Sequence, residues 1–317
     1  MELPATVPAK GYPRSLLEPL AMLARRLREK SETLPGHWVE ETDEGLRTGR
    51  IGGLISPPTG EVGGLLFLTL RGDRLFGHFY LTEHGTAARE GLALIRAFLA
   101  LRTPEIRRVD LTVSASSSEG EKGLAALFPA EEFPFRVVER QRMVRDLDAR
   151  TPPDPPVLPA GLVLGWVPDF ATPAIAELDF RAFEESPDRG LVAETPQEAL
   201  RLMEEMLRGD LGPLIREGSP CIAPEADPER PVAFLLSLQQ GATGALIADV
   251  AVAPELRRKG VGRALLARAL RGLLARGMER ASLWVTCANT SACRLYEEAG
   301  FTVAQREPIF IWERPSP

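Results

Sequence analysis

The chain has 317 residues, enough for two domains of ordinary size, and its net charge of −6 argues against nucleic-acid binding, which needs a large basic face. No apolar run is long enough to cross a membrane, and the first residues lack the pattern of a secretory signal. The three cysteines show no metal-ligand spacing, so we expect a cytoplasmic protein with reduced thiols and no bound metal.

The first predicted elements form a pattern that returns later in the chain. Apolar runs at 65–70 and 75–81 flank a short polar turn, which predicts a β-hairpin. An amphipathic helix is predicted at 86–101 and a strand at 109–113. The loop at 83–87 between hairpin and helix holds one glycine and no basic cluster. The first half therefore has the plan of a βαβ unit without an obvious anion-binding loop.

A proline-rich segment at 151–159 separates this pattern from the rest of the chain. Proline supplies no N–H for a sheet and cannot continue a helix, so the segment is typical of a semi-rigid linker. We predict an N-terminal domain over 1–150, a linker over 151–160 and a C-terminal domain over 161–317.

The second half alternates strands and helices in a definite order. Its apolar periodicity predicts the order β-α-α-β-β-β-α-β-α-β-β, whose least distinct member is a strand near Cys221. The other elements are predicted as strands at 162–167, 232–238, 246–252 and 281–285 and as helices at 174–184, 196–208, 260–277 and 289–300. The second of these helices opens with a capping box at Thr195.

The turn between the strand at 246–252 and the long helix is suited to a phosphate. Arg257, Arg258 and Lys259 precede Gly260 and Gly262, which allow a close approach to the backbone where the helix begins. The chain lacks the Gly-Lys-Ser/Thr ending of a P-loop and the third glycine of a dinucleotide fingerprint. The alternative is a tight connection that binds nothing.

The motif Arg257-x-x-Gly260-x-Gly262 resembles the coenzyme-A loop of the GNAT acetyltransferase superfamily. Downstream, the pattern that runs from Asn289 through Tyr296 to Phe301 resembles the second signature of that superfamily, Asn-x-x-Ala-x-x-x-Tyr-x-x-x-Gly-Phe. The resemblance covers residues 160–314. It implies an α/β fold, with a mixed and mostly antiparallel sheet flanked by helices.

The first half is similar to a second, degenerate GNAT-like unit, which makes the arrangement tandem. Phe128 and Phe133 repeat the five-residue step from Tyr296 to Phe301, but Phe128 has no hydroxyl. His84 in the loop of the first half is either a residual ligand group or an ordinary turn histidine. We expect this unit to be a scaffold or a wall of the acceptor cleft.

The resemblance implies acetyl-CoA as the co-substrate and assigns its contacts to one strand, one loop and one helix start. Backbone amides of the loop would hold the pyrophosphate, and strand backbone would pair with the pantetheine arm. Asn289 would either contact that arm or only cap its own helix. The residues so assigned are Val250, Ala251, Val252, Arg257, Arg258, Lys259, Gly260, Val261, Gly262, Arg263 and Asn289.

Two side chains are candidates for the chemistry. The resemblance assigns Tyr296 as the acid that protonates the departing thiolate, although its helix face also fits a core residue. Many relatives place a carboxylate on the strand where this chain has Leu246, which leaves Asp249 as the only acid on that strand. Its alternation with Val250 predicts that it points away from the cofactor arm.

The base has alternatives, namely a relaying water or another acid near the first helix. Cys287 and Cys293 are interpreted as buried apolar groups rather than nucleophiles, since this half has no histidine to activate them. The acidic alternatives are Glu177, Glu184, Glu185 and Asp188.

The predicted function is acetyl-CoA-dependent N-acetyl transfer to a primary amine, with a small molecule as the expected partner and no nucleic acid or membrane. A non-catalytic acyl-CoA-binding or regulatory module is one alternative. Acetylation of a protein N-terminus or lysine is another. The sequence makes no prediction of the oligomeric state.

Overall fold

A computed structural model describes residues 53–55, 64–71, 74–81, 107–115, 136–148, 155–191 and 193–314. The chain forms two compact units, one of Met1–Glu139 with Glu307–Pro317 and the other of Arg140–Arg306. The strands are β1 (Gly53–Ile55), β2 (Gly64–Arg71), β3 (Arg74–Leu81), β4 (Arg108–Ala115), β5 (Arg136–Asp146), β6 (Leu162–Trp166), β7 (Pro220–Pro224), β8 (Ala233–Gln240), β9 (Gly244–Val252), β10 (Arg280–Thr286) and β11 (Thr302–Glu313). The helices are α1 (Thr172–Phe183), α2 (Pro196–Arg208), α3 (Val261–Ala275) and α4 (Thr290–Glu298).

In the first unit, β1, β2, β3, β4 and the end of β11 lie side by side in that order. The predicted hairpin of β2 and β3 is confirmed, and β4 runs parallel to β3. The predicted helix at 86–101, the loop at 83–87 with His84, and Phe128 and Phe133 all lie outside the described residues.

In the second unit, the strand order is β5-β10-β9-β8-β7-β6. All neighbours are antiparallel except β9 and β10, which are parallel. A hairpin followed by a parallel strand is also the arrangement of β2, β3 and β4 in the first unit. The repeat predicted from the sequence is therefore confirmed for these strands, as is the mixed, mostly antiparallel α/β fold.

The C-terminal strand differs from the prediction of two final strands, because residues 302–313 form one continuous strand. This segment has no glycine or asparagine to make a hairpin turn, and a strand tolerates Pro308 where its missing N–H is not needed. The neighbour of β10 is instead β5, paired from Arg280 with Asp146 to Thr286 with Arg140. β5, which falls in the predicted N-terminal domain, thus contributes to the sheet of the second unit.

The helix α2 begins at a capping side chain and ends at a left-handed glycine. Thr195 accepts a hydrogen bond from the Glu198 N–H at 3.2 Å, which confirms the predicted cap of α2, and Gly209 ends that helix with φ 85°. The core lies between the helices and the sheet, around Phe234 of β8 and Leu265 of α3. In the described ranges no helix is long and apolar enough to cross a membrane.

Candidate functional site

β9 and β10 separate halfway along their length. Their parallel ladder joins Gly244–Ile247 to Arg280–Leu283 and ends there. On the other side of β9, Leu236 pairs with Asp249 and Ser237 with Ile247, so Ala248 is an extra residue in a β-bulge. A bulge bends its strand and increases the local twist. The bulge thus lies where β9 leaves β10, and the end of β9 presents backbone groups on its open edge.

A cavity of about 860 Å³ lies beside this open edge. It is bounded by the end of α1 and the loop after it, by β9, by the glycine-bearing loop and by α4. Its size is in the range of pockets that hold small molecules and cofactors. The residues that line it are Ala182, Phe183, Glu185, Ser186, Pro187, Val250, Val252, Leu256, Arg257, Arg258, Gly260, Gly262, Arg263, Asn289, Thr290, Ser291, Ala292, Arg294, Leu295, Tyr296 and Glu298.

The glycine-bearing loop takes two left-handed residues to enter α3. Arg258 has φ 63° and Gly260, the N-cap residue, has φ 79°. Glycine adopts this conformation without strain, whereas a side chain at Arg258 costs roughly 1 kcal/mol or more. Such a cost is retained only where the surrounding structure requires the conformation. Here the strained residue, Arg258, lies in the loop that borders the cavity.

The first turn of α3 borders the cavity at Gly260 and Gly262. In the part of the chain that the structure describes, no side chain caps the helix at Gly260. The N-terminus of a helix carries unpaired N–H groups and partial positive charge. A Cβ built on Gly262 would lie 3.4 Å from Leu295 Cδ2 and 3.9 Å from Val252 Cγ2, so a larger side chain there would extend into the cavity. Such an arrangement is chemically suited to a phosphate.

The basic residues predicted to bind the cofactor have different surroundings. Arg257 donates to the Val252 carbonyl at 3.4 Å and to the Ala182 carbonyl, which fixes the loop against β9 and α1. Arg263 and Arg294 both pair with Glu298 and hold the pKa of that exposed carboxyl below its usual value.

The remaining predicted cofactor residues have side chains outside the cavity lining. Lys259 is exposed, and the side chains of Ala251 and Val261 are buried. These three residues can reach a cofactor only through their backbone groups or, for Lys259, through a long and mobile side chain.

Asn289 has two simultaneous roles at the start of α4. Its side-chain oxygen accepts from the Ala292 N–H at 3.2 Å, which is the predicted cap. Its Nδ2 donates to Asp188 at 2.8 Å, and Thr286 Oγ1 donates to the other oxygen of Asp188. Asn289 therefore joins α4 to the loop after α1, across the edge of the cavity.

The two roles of Asn289 can be separated by substitution. We expect Asn289→Ala to lower the free energy of unfolding by about 1 kcal/mol more than Asn289→Ser, because serine retains a cap acceptor for Ala292. Both variants lose the bond to Asp188. Denaturant unfolding of the two proteins measures the difference, and equal losses would mean that the cap contributes nothing.

Tyr296 lies on the inner face of α4 with its ring edge-on to Phe301, at 6.0 Å between centroids. It lines the cavity and is 7% exposed. Burial is the main cause that raises the pKa of its hydroxyl, and the charges of Asp249 and Asp188 raise the pKa further. The hydroxyl therefore stays protonated at neutral pH and can donate a proton.

Asp249 is next to Val250 of the cavity lining but is not itself in that lining, and its side chain hydrogen-bonds to Asp179 of α1. Burial raises the pKa of Asp249 to about 6, while hydrogen bonds from Asp179 and the Val250 N–H oppose that rise. The pKa of Asp179 is raised well above its usual value, first by burial and then by the charge of Asp249.

The sequence analysis missed Asp179 and found its partner. A signal was available, because Asp179 follows the 3–4 spacing of Ile175, Leu178 and Ala182 on the buried face of α1. An acid at such a position needs a partner. Among the alternatives, Asp188 is buried, whereas Glu177 and Glu184 are exposed and outside the cavity lining.

The two downstream cysteines surround one amide. Gln141 Nε2 donates to Cys293 Sγ at 3.4 Å, and Cys287 Sγ donates to Gln141 Oε1 at 3.8 Å. Burial raises the pKa of Cys293, which disfavours a thiolate. Within the described residues no cluster of three or more His, Cys, Asp or Glu could hold a metal ion.

Comparison with known proteins gives a family match for part of the chain. Residues 174–301, which contain the separated strands, the loop and Tyr296, match the Acetyltransferase (GNAT) family. The chain is thus similar to the GNAT family over this segment. The GNAT match includes both predicted signatures and ends at Phe301.

Two mycothiol acetyltransferases are similar to about half of this chain. The protein of Thermobispora bispora is 33% identical over 168 residues, which cover 51% of this chain and 52% of that protein. The protein of Frankia casuarinae is 32% identical over 180 residues, or 54% of this chain and 50% of that one. The matches thus span about half the length of these relatives.

Solved structures of GNAT proteins share the fold over nearly the whole chain. A GCN5-related N-acetyltransferase from Sphaerobacter thermophilus has a TM-score of 0.71 at 22% identity, covering 99% of this chain and 96% of its own. A tandem GNAT protein from the clavulanic acid biosynthesis pathway has a TM-score of 0.61 at 16% identity and covers 99% of both chains. At such identities the likeness concerns the fold alone, and the tandem arrangement, similar in layout to mycothiol synthase, is supported.

Proposed function

We propose that this protein is an acetyl-CoA-dependent N-acetyltransferase that transfers an acetyl group directly to a primary amine of a small molecule. The observation that carries the proposal is the meeting of three features in one cavity. These are the uncapped start of α3, the open edge of β9 and the hydroxyl-bearing ring of Tyr296.

The cofactor would bind along the loop and the open strand edge. The N–H groups from Arg258 to Arg263 would hold the pyrophosphate, which suits the positive end of the helix dipole. The backbone of Val250 and Val252 would pair with the pantetheine amides as an added strand would. Asn289, anchored to Asp188, would face the same arm.

The reaction would proceed without a covalent enzyme intermediate. The amine attacks the thioester carbonyl, the C–N bond forms, and a backbone N–H near Val252 stabilises the oxyanion. The C–S bond then breaks, and the leaving thiolate takes the proton of Tyr296. The proton lost by the amine passes to Asp249, directly or through water, and returns to tyrosinate through solvent.

The names of the relatives favour a small acceptor, since both are mycothiol acetyltransferases. In this proposal the C-terminal domain over 161–317 carries the whole cofactor site, completed by β5 as a structural strand. The N-terminal domain over 1–150 has a scaffolding role.

The test combines calorimetry with an assay of CoA release. We expect saturable binding of acetyl-CoA to the full chain and release of free thiol that depends on added amine, measured over a panel of small amines and lysine peptides. Binding without amine-dependent release would support the non-catalytic module, for which Leu246 in place of a strand carboxylate is the favouring observation. Absence of binding would overturn both.

The cysteines provide a further check on direct transfer. We expect the Cys287→Ala/Cys293→Ala variant to keep kcat within about threefold of the parent, because neither thiol is activated as a nucleophile. Steady-state turnover with the best amine measures this, and mass spectrometry after mixing with acetyl-CoA alone should find no acetylated enzyme. An acetyl-thioester on either cysteine would contradict direct transfer.

A further inference from the structure

The buried carboxyl of Asp179 has a partner only on one side. It is 4% exposed, lies on α1 among apolar residues and hydrogen-bonds to Asp249. Its other oxygen, Oδ1, has no hydrogen-bond partner in the ranges that the structure describes. An ionised carboxylate left in this way would be costly, because burial without donors disfavours the charged form far more than the neutral one.

Asp188 shows the contrast within the same unit. It is 8% exposed, yet Thr286, Asn289 and Ser186 all donate to its oxygens. Such donors stabilise a carboxylate. Asp188 therefore has donors on both of its oxygens, whereas Asp179 Oδ1 has none within the described residues.

We infer that Asp179 and Asp249 share one proton, with Asp179 as the neutral acid that donates to Asp249 and so positions and tunes Asp249 as the base for the acceptor amine. The inference rests on the proposed function for the role of Asp249. The pair supplies a carboxylate on β9, the strand that has Leu246 where many relatives have one.

The physical basis is that two adjacent carboxyls in a buried setting cannot both ionise. The proton stays on the group with fewer other donors, which is Asp179, because Asp249 also accepts from the Val250 N–H. Asp249 is the half-buried member of the pair. The pair titrates as a unit, and once its first proton has dissociated, its ionised member can accept a proton from the substrate.

Other titratable and charged groups near the pair affect the pKa of Asp249 and that of Tyr296. Asp188, in the loop after α1, raises the pKa of Asp249 by its charge. Tyr296 on α4 is neutral at working pH, and Arg140 on β5 acts on the tyrosine and lowers the pKa of its hydroxyl. The acid limb of activity should therefore lie near pH 6, the raised pKa of Asp249.

The decisive experiment compares three variants by the pH dependence of kcat/KM. Asp249→Asn should lower kcat/KM at pH 8 by about 100-fold or more, as expected for loss of a base. Asp179→Asn retains an N–H donor and no charge, so its acid limb should stay within about half a pH unit of the parent. Asp179→Ala loses the donor, and its limb should move up by about one unit.

An ionised Asp179 would give the opposite result, since both substitutions at Asp179 would then remove a negative charge and move the limb to lower pH. That outcome would overturn the shared proton. A purely structural role for Asp179 would change kcat/KM equally at all pH values and leave the limb in place in the alanine variant, which would also overturn the inference.

A second readout does not depend on activity. A carboxyl whose folded pKa lies above its unfolded value of about 3.9 stabilises the fold fully below that value and loses this contribution as pH rises through the folded pKa. Asp179→Asn has no such loss. The thermal midpoint of Asp179→Asn minus that of the parent should therefore increase by roughly 3 °C or more from pH 4 to pH 7.

The two readouts separate this inference from the proposed function. If no amine is acetylated but the thermal gain appears, the shared proton stands and the proposed function fails. The opposite outcome is that the enzyme turns over while Asp179→Asn shows no increase in thermal midpoint and its acid limb of kcat/KM moves to lower pH. In that case the shared proton is wrong and the proposed function stands.

Discussion

Replacing Tyr296 by phenylalanine is expected to lower kcat by two to four orders of magnitude while the Kd for acetyl-CoA stays within about twofold. The substitution removes one hydroxyl and keeps the ring that packs edge-on against Phe301. Only the proton donated to the departing thiolate is lost, and that proton matters in the transition state rather than in the bound complex.

The pH dependence of the parent enzyme strengthens this test. Burial and two neighbouring carboxylates raise the pKa of Tyr296, so its proton should stay in place throughout the neutral and mildly alkaline range. We expect kcat to show the acid limb of Asp249 and no fall up to about pH 9. Stopped-assay rates from pH 5 to pH 9, with calorimetry for the cofactor, provide the measurement. Equal kcat in parent and Tyr296→Phe at every pH would remove this residue from the chemistry.

Filling the space at Gly262 is expected to produce the second large effect, on affinity. A Cβ at Gly262 meets Leu295 and Val252 at ordinary contact distances, so Gly262→Val should fold, since valine in a helix is no worse than glycine. Its methyl groups would occupy the space beside the first N–H groups of α3. Loss of one hydrogen bond to a charged phosphate corresponds to about 1.5–3 kcal/mol, so the Kd for acetyl-CoA should rise at least tenfold.

The opposite end of the same helix provides the control. Gly277 has φ 77° and no atom within 4 Å of an added Cβ, so Gly277→Ala should cost stability through backbone strain alone. Its acetyl-CoA affinity should be unchanged, while Gly262→Val should show the reverse pattern. Calorimetry and thermal unfolding of both variants measure the two quantities. If Gly262→Val binds acetyl-CoA as the parent does, the pyrophosphate does not lie on this turn.

Local signals in the sequence determined the elements of the second unit and the position of its loop. Gly260 and Gly262 indicated the loop because glycine allows a close approach to the backbone where a helix begins. The structure adds that Gly260 is left-handed, with φ 79°. Asn289 was recognisable as a cap because its short amide can reach the N–H of Ala292. Such signals depend on neighbours within a few residues along the chain, and a sequence displays these directly.

Tertiary structure alone decided which distant groups meet. The pairing of β5 with β10 joins residues about 140 positions apart, and the bulge at Ala248 exists only relative to β8. Arg257 has the charge and the N–H donors of a phosphate ligand. In the structure it donates to two carbonyls, one of them that of Ala182 on α1. In the sequence, Asp249 is an ordinary acidic residue on a strand. Only the fold places Asp179 of α1 against it, which changes the surroundings of its carboxyl. Protonation and hydrogen-bond partners are set by burial and by contacts across the fold, which no local spacing encodes.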